Sequence, residues 1–514
     1  MSFFHGARVK DAPSTGTPIQ SVNASVFGLL CTADNSAPAA SASLAIGGAA
    51  TNNGLTFTAV NPGANGNLIT VAVVNPNAAN ALLAVTVNNQ AIIVSLACDA
   101  TGAPESTGAT VLAAIEANEQ ATALVTVAAT GASSGAGIVT ATPTLNLTGG
   151  ADEAFPLNTP VLCPGDPVQA AQLGTAGTGL TALTSIFQQI GALCVVVRVA
   201  SSAEAATQVA NLIGTVDANG HYTGAQAFLG AESITGFRPM VLLAPTFTGS
   251  QTVVAGTQTV GAEVVTGMIP VANSLRAHIL VEGPNTTDAA AYQYSLNFGG
   301  QRRVFFTDPG VWTTDANGNP LGATNSAFVA GVIAATDANL GYWWSPSNQQ
   351  VNGITGTTRA VDYTEADQTC RANVLNSQNI TTIIRKNGYR LWGNRTLSAD
   401  PQYAFLCVSR VDDIIALSIQ DAVNTWAVDR PMTGNFYKDV ADEVNAYLRQ
   451  LKNQGVINGG NCYPNPKLNT ATAMTNGQSF FNYDWSPAYP AEDIEVVSSI
   501  VTTYLPNIGA TATA

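Results

Sequence analysis

The sequence predicts a multidomain α/β chain that becomes α+β in its C-terminal part, and three observations carry that expectation. Its 514 residues exceed what one hydrophobic core usually organises. Helix-period and strand-like runs alternate from Phe155 to about Gly356, the pattern of an α/β domain, whereas amphipathic helices take over after Asp362. A third block lies between the Ala/Ser/Gly/Pro-rich stretch 35–51 and Thr148-Gly149-Gly150. It consists of short β-branched segments separated by Gly, Asn and Pro turns.

Taken in order, residues 7–11 and 24–30 can extend, and they read as detachable strands at the N-terminal end. The block 37–150 reads as an inserted small β-sandwich. Strands are expected at 55–60, 68–74, 82–87, 91–97, 124–129 and 138–142, with one helix at 111–119. An insertion of this kind begins and ends close together on an exposed turn, which places it at the surface. Its plain role is a spacer or stabilising module, with binding of a glycan or another component as the rival. The loop from Asn61 through Pro62-Gly63 to Asn67 is turn chemistry.

Residues 151–356 form the α/β region. Leu180, Leu183, Ile186, Phe187 and Ile190 recur at helical spacing, and strands are expected at 194–199, 240–244, 278–281 and 304–307. A small-residue helix is expected at 326–335, and Trp343-Trp344-Ser345-Pro346 marks a buried aromatic turn. Gly174, Gly177 and Gly179 precede the first helix in polar sequence without the partner acid of a dinucleotide site, and they read as turn glycines.

Residues 357–490 predict helices at 364–375, 409–429 and 440–451. Val411, Ile414, Ile415, Ile419, Val423 and Trp426 form one apolar stripe, Ser409 and Asp412 are spaced like a capping box, and Pro431 closes the helix. The last helix buries Val440, Val444, Tyr447, Leu448 and Leu451, and Gly455 stops it. Its other side carries Lys438, Asp439, Asp442, Glu443, Arg449 and Lys452, in the first instance a solvated face. After Ala491-Glu492-Asp493, residues 496–505 are strand-like, and 491–514 read as a terminal arm.

Charge and motifs exclude several function classes. Only 10% of residues are charged, so much of the surface is weakly charged and suits contact with copies of itself. A net charge of −14 without a Lys/Arg cluster argues against nucleic acid as a partner. The seven cysteines lie far apart, several in apolar runs, and read as reduced core thiols. No apolar run reaches membrane-spanning length and Met1–His5 does not open a signal peptide, so the expectation is synthesis in the cytoplasm without membrane insertion. His5, His221 and His278 are the only histidines. With no metalloprotease, hydrolase-elbow or Walker motif, neither catalytic residues nor a metal or cofactor are expected. Asp166 and Asp308 precede Pro and read as turn formers, and His278 reads as a satisfied core residue.

One string discriminates further. Trp392-Gly393-Asn394-Arg395-Thr396-Leu397-Ser398, then Asp400-Pro401 and the apolar run 403–408, resembles the C-terminal core of contractile-tail sheath proteins of phages and R-type pyocins. Phe4-His5-Gly6 with Arg8-Val9, then Val26-Phe27-Gly28-Leu29-Leu30, and Phe155-Pro156-Leu157-Asn158-Thr159-Pro160-Val161 resemble the opening of that family. The Gly174–Thr178 turn, its helix and strand 194–199 are similar to it too, so most of the chain is covered, with temperate-myophage and pyocin sheaths the nearest pattern. The block 37–150 departs from the shorter members, in which Cys31-Thr32-Ala33 would run almost directly into Phe155-Pro156.

The resemblance implies a structural subunit that polymerises into a helical tube around a tail tube, in the virion tail, and contracts without nucleotide. Contacts that do not close a ring generate open helices, and a metastable lattice supplies the work. It implies an N-terminal arm and core start at 1–30, an outer domain at 151–356, an inner tube-facing domain at 357–490, and arms that exchange strands between neighbours. Arg8, Val9, Val496, Val497, Ile500, Val501 and Tyr504 are the implied arm residues, and the charged helix face 438–452 is the implied tube contact. Implied partners are further copies, a tail tube protein, and baseplate and tail terminator proteins. The alternative from another class is a β-rich surface adhesin, which would be a monomer binding a ligand.

Overall fold

Seven consecutive residues, β1 (Val26–Thr32), are all buried, which a strand achieves only when covered on both faces and both edges. The structure is a computed structural model that describes residues 18–249, 253–254, 258–315 and 317–505, with backbone alone at 253–254 and 258–260. The expected segment 7–11, and Arg8 and Val9 within it, lie outside the described residues. The rest of that expectation is corrected: residues 24–30 are no detachable arm, because β1 sits inside the main sheet.

That sheet has eight strands. Besides β1 they are β2 (Val161–Pro164), β3 (Leu193–Val199), β4 (Val241–Leu243), β5 (His278–Glu282), β6 (Val304–Thr307), β7 (Ile380–Arg385) and β8 (Tyr389–Trp392), in the order β8-β7-β6-β5-β4-β1-β3-β2. The six central strands run parallel and the two edge strands antiparallel. Helices cover both faces, which is why the central strands read as unbroken apolar runs. On one face lie α1 (Gly179–Phe187) and α5 (Ser326–Asn339), around Phe27, Leu29, Leu183, Ile186, Phe305 and Phe328. On the other lie α2 (Ala205–Ile213), α3 (Val260–Leu275) and α4 (Asp288–Ser295), around Leu30, Val197, Leu212, Ile279 and Phe306. Strands before and after residue 356, drawn as a division from the sequence, share this sheet, since β7 pairs with β6, while Gly356–Thr357 itself pairs with Val311–Thr314 in a small separate sheet. Gly174 and Gly177 are turn glycines with φ of +72° and +96°, and a Cβ on Gly177 would lie 2.4 Å from the Thr32 carbonyl oxygen.

Residues 40–151 build a β-rich lobe with its own core around Phe57, Val71, Ile92, Val94, Val111 and Ile115. One sheet joins Ser43–Ile46, Leu55–Ala59 and Val125–Ala129, and the other joins Ala84–Asn88, Ala91–Ser95, Thr70–Val74 and Thr142–Asn146. Two helices, Gly108–Glu116 and Glu119–Thr122, replace the single one expected. The strand expected at 138–142 forms at Thr142–Asn146, because Gly137 N–H donates to Asn52 O (2.8 Å) and turns the chain there. The lobe opens and closes at one point: Ala40 and Ala151 exchange backbone hydrogen bonds of 2.8 and 3.1 Å.

The C-terminal part contains α6 (Leu406–Trp426), α7 (Gly434–Asn453) and a hairpin of β9 (Ile457–Pro464) and β10 (Phe481–Pro487). Val411, Ile415, Val444, Tyr447, Leu448, Leu451 and Cys462 are buried together, with Ile19 from the N-terminal side. The expected helix at 364–375 is confined to Arg371–Ser377: Asp367 accepts hydrogen bonds from Thr369 N (2.8 Å) and Oγ1 (2.6 Å), and this local turn competes with helix formation. The aromatic turn after α5 is less buried than expected, with Trp344 50% exposed and Trp343 half-buried. No described helix is long and apolar enough to cross a membrane.

A Cβ placed on Gly28 would lie 2.6 Å from Leu242 Cδ2 and 3.0 Å from Phe228 Cε1. Gly28→Val therefore overpacks the sheet centre, with an expected loss of about 1–3 kcal/mol in urea unfolding of the unassembled chain. An unchanged midpoint would show that this contact yields freely.

Candidate functional site

Helix α6 leaves the β8 turn without a side-chain cap, since Phe405 occupies that position. Ser409, expected as a capping residue, lies a turn inside the helix and is buried. Its Oγ is 2.9 Å from His278 Nε2 at the start of β5. The neighbouring acids serve the same junction. Arg302 Nη2 donates to Asp412 Oδ2 and Asp413 Oδ1, both at 3.0 Å, and Arg303, at the start of β6, donates to Asp413 Oδ2. Arg276, after α3, brings Nη1 within 3.6 Å of Asp413 Oδ1. One turn away Arg410 clamps Asp337 of α5 with two hydrogen bonds of 2.9 and 2.5 Å and donates to Ala24 O at 3.1 Å.

These contacts sew α6 to the starts of two strands, β5 and β6, to α5 and to the segment ahead of β1. That segment crosses α6 and α7 as a strap, with Val22 N–H donating to Ser418 Oγ (3.0 Å) and Ser21 Oγ 2.9 Å from Tyr447 OH. Burial pushes the Asp413 carboxyl above its ordinary range, opposed by the Arg303 and Arg302 guanidiniums. Burial, with Arg303, Arg410 and Arg302 nearby, holds the His278 imidazole well below its ordinary value, so it sits neutral in the core as expected. Asp308 corrects the reading as a mere turn former: it is buried, accepts from Asn285 N (2.9 Å) and pairs with Arg359. Asp166 does cap a helical turn, accepting from Val168 N at 2.9 Å.

Beyond this junction the surface offers unpaired backbone and apolar side chains. The hairpin is a sheet of only two strands, and neither outer edge carries a further strand among the described residues, although Asn445 of α7 accepts from the N–H (2.7 Å) and donates to the carbonyl (2.8 Å) of Cys462 on the β9 side. Phe481, Tyr483 and Trp485 alternate inward along β10 against the C-terminal core. The chain then docks once more. Tyr489 meets the Phe405 ring edge-on at 6.2 Å, and Glu492 takes hydrogen bonds from Arg395 Nε at 2.9 and 3.0 Å.

Past that anchor the tail has no regular structure, where a strand was expected. Val496 (85% exposed), Val497, Ile500 (101%), Val501 and Tyr504 (89%) face solvent, with a turn closed by Leu505 N–H on Thr502 O. A strand needs a ladder partner, and none lies beside this segment among the described residues. On α7, Lys438, Asp442, Arg449 and Lys452 are exposed while Asp439 and Glu443 are half-buried, with Asp439 3.8 Å from Arg430. The structure therefore keeps the charged helix face and the tail apart, as two separate surfaces.

Comparison with known proteins gives the family of the chain. Residues 220–397 match the phage tail sheath protein central domain, and residues 398–500 match the phage tail sheath C-terminal domain. A putative prophage major tail sheath protein of Pseudomonas aeruginosa is 39% identical over 363 residues, 70% of this chain and 91% of its own. The tail sheath protein of Escherichia phage P2 is 33% identical, over 69% of this chain and 88% of its own. Among solved structures, the contracted helical sheath of the anti-feeding prophage shares the fold at a TM-score of 0.50 and 21% identity, covering 66% of this chain and 88% of its own. The contracted PVC sheath of an extracellular contractile injection system does so at 0.50 and 16%, covering 68% and 89%.

Two measurements test the junction. Asp413→Ala leaves buried guanidiniums without their shared carboxylate, and the expected cost is about 3–5 kcal/mol in urea unfolding of the unassembled chain. His278 gives the pH dependence. Below about pH 6.5 the unfolded chain binds a proton that the folded imidazole refuses, so stability falls as pH drops from 7 toward 5. His278→Gln is expected to flatten that part of the stability–pH curve, and an unchanged slope would assign it to other groups.

Proposed function

Because the chain belongs to the phage tail sheath family, we propose that its work is done by swinging rigid bodies joined through exchanged strands. The protein is a structural subunit of a contractile sheath and a component of a virion tail. It assembles with further copies into a helical sheath, a reading supported by the contracted helical sheath that shares its fold, and it associates with a baseplate. The adhesin reading is not favoured. The lobe 40–151 contains no Lys, Arg or His and a single aromatic residue, Phe57, so it lacks the usual anchors for anions, sugars and protein hot spots.

One observation carries the arm-exchange reading: a two-stranded hairpin with no strand on either outer edge among the described residues is followed by an apolar tail that is tethered at Glu492 and exposed beyond it. Strand addition satisfies both, since a tail from one neighbour and an N-terminal segment from another would complete the ladders. Val496, Val497, Ile500, Val501 and Tyr504 would supply the first, and residues ahead of the strap, including Arg8 and Val9, the second. A backbone ladder keeps copies joined while the bodies they connect rotate.

The remaining assignments extend this reading. The sheet-centred body, with β7 and β8 included, is the outer part, and α6, α7 and the hairpin form the inner part facing a tail tube. On that part Lys438, Asp439, Asp442, Glu443, Arg449 and Lys452 offer exchangeable ion pairs, each weak enough to release during sliding. The β-rich block 37–150 is an inserted surface module whose single entry point leaves the sheet undisturbed. Contraction then drives the tube through a host envelope, with lattice strain as the energy source.

Protein expressed alone is expected to form helical tubes of uniform diameter in negative-stain electron microscopy. Removal of residues 494–514 is expected to leave a folded, unassembled chain by sedimentation and circular dichroism. Normal tubes from the truncated chain would sink the arm-exchange reading while leaving the family assignment intact.

A further inference from the structure

The charge inventory at the α6 junction does not balance. Arg276, Arg302, Arg303 and Arg410 converge there, whereas the acids are Asp337, Asp412 and Asp413, and the buried His278 contributes no charge. Asp337 is committed to Arg410 through a two-pronged clamp. Three guanidiniums thus share Asp412 and Asp413, which leaves one cation in surplus. The donor side is also unsatisfied: Nε of Arg302 and of Arg303 is buried without a hydrogen-bond partner, and Arg303 itself is only 6% exposed. In a chain with 33 acidic and 19 basic residues, a surplus cation at a partly buried junction calls for an acid from outside it.

The surplus is reachable at Arg276. Its side chain is 40% exposed, and its one polar contact among the described residues is the 3.6 Å approach to a carboxylate already held by two other arginines. Its backbone adopts φ +56°, a left-handed conformation uncommon for a side chain of this size. Tyr483 of β10 feels both Arg276 and Asp412, which puts the open side of the cluster beside the hairpin strand. Asp484, next along that strand, points to the opposite, exposed side.

We infer that Arg276, flanked by Arg302, receives a carboxylate from the C-terminal tail of a second copy of this chain, supplied by Asp493 or Glu495. Both acids are exposed and neither pairs with a cation among the described residues, whereas Glu492 is held by Arg395 of its own chain. In an added strand, Asp493 and Glu495 face one side while Ile494 and Val496 face the other, so the segment presents two acids to the cluster and apolar side chains away from it. The contact would set the register of the added strand, because one acid must meet one fixed cation. The inference rests on the arm-exchange reading and names what recognises the arm.

The test is a charge swap on the full chain, read as the protein concentration above which tubes sediment. Asp493→Lys with Glu495→Lys touches no contact of the folded chain and is expected to raise that concentration about three- to tenfold, the scale of a partly exposed ion pair. Arg276→Glu is expected to do the same, and circular dichroism reports whether its monomer still folds. Combining all three substitutions in one chain is expected to bring assembly back to within about threefold of the parent, a shift smaller than one ordinary ion pair supplies. Mixing the tail variant with Arg276→Glu chains is expected to restore tubes in part, since matched pairs then form between chains. Wild-type thresholds for the tail variant overturn the inference, as does purely additive loss in the combined chain, or a rescue seen in the combined chain but never in the mixture. Normal tubes with failed binding of a tail tube protein overturn it as well and assign the cation to the tube. Loss of the arm-exchange reading itself is recognised separately, by tubes that persist without residues 494–514.

Discussion

The structure depends on one buried carboxylate. Asp413 has no exposed side-chain surface, yet Arg302, Arg303 and Arg276 all lie within 4 Å of it, from elements that are far apart in the sequence. Burying a charge costs several kcal/mol unless partners surround it, so the starts of β5 and β6 and helix α6 adopt the one arrangement in which this group is satisfied. An apolar interface of the same area would tolerate sliding and small rotations. An ionic junction with fixed hydrogen-bond geometry does not, and a subunit that transmits force through its body needs that property.

Rigidity in one place is matched by looseness in others. The tail is joined to the body through Glu492 and its ion pair with Arg395, and beyond that point the described side chains lie in solvent. Segments with few buried contacts open at little cost, whereas a strand such as β1, buried along its whole length, does not. The division between moving and fixed parts therefore follows burial rather than position in the sequence. Residues 24–32 make the point, lying close to the N-terminus yet in the middle of the sheet.

The β-rich lobe is independent in a physical sense. Its core shares no residue with those of the main sheet, and its two ends meet at the Ala40–Ala151 bridge. A closed entry of this kind transmits little strain in either direction, so a module of over a hundred residues sits within a sheath chain whose central and C-terminal regions still match the family.

Much was determined by the sequence alone, wherever the signal is local. Runs such as Cys194–Val199 and Val304–Thr307 announce buried strands because both faces are covered, and the stripe Val440, Val444, Tyr447, Leu448 and Leu451 announces α7 because a helix repeats every 3.6 residues. The family could be read as well, from the ordered string around Trp392–Ser398. What only tertiary structure decided are pairings between distant residues. Ser409 has the spacing of a cap but binds His278, 131 positions away, and Asp413 looks like a surface acid at the start of an apolar stripe but lies at the centre of three arginines. The hairpin β9–β10 was missed in the sequence, where the alternation of Phe481, Tyr483 and Trp485 was its signal, and the charged residues inside LCVSRVDDIIAL were the one local sign of the junction. Periodicity reports which side of an element faces inward. It carries no information about what waits there, because that is set by which strands the chain brings alongside one another.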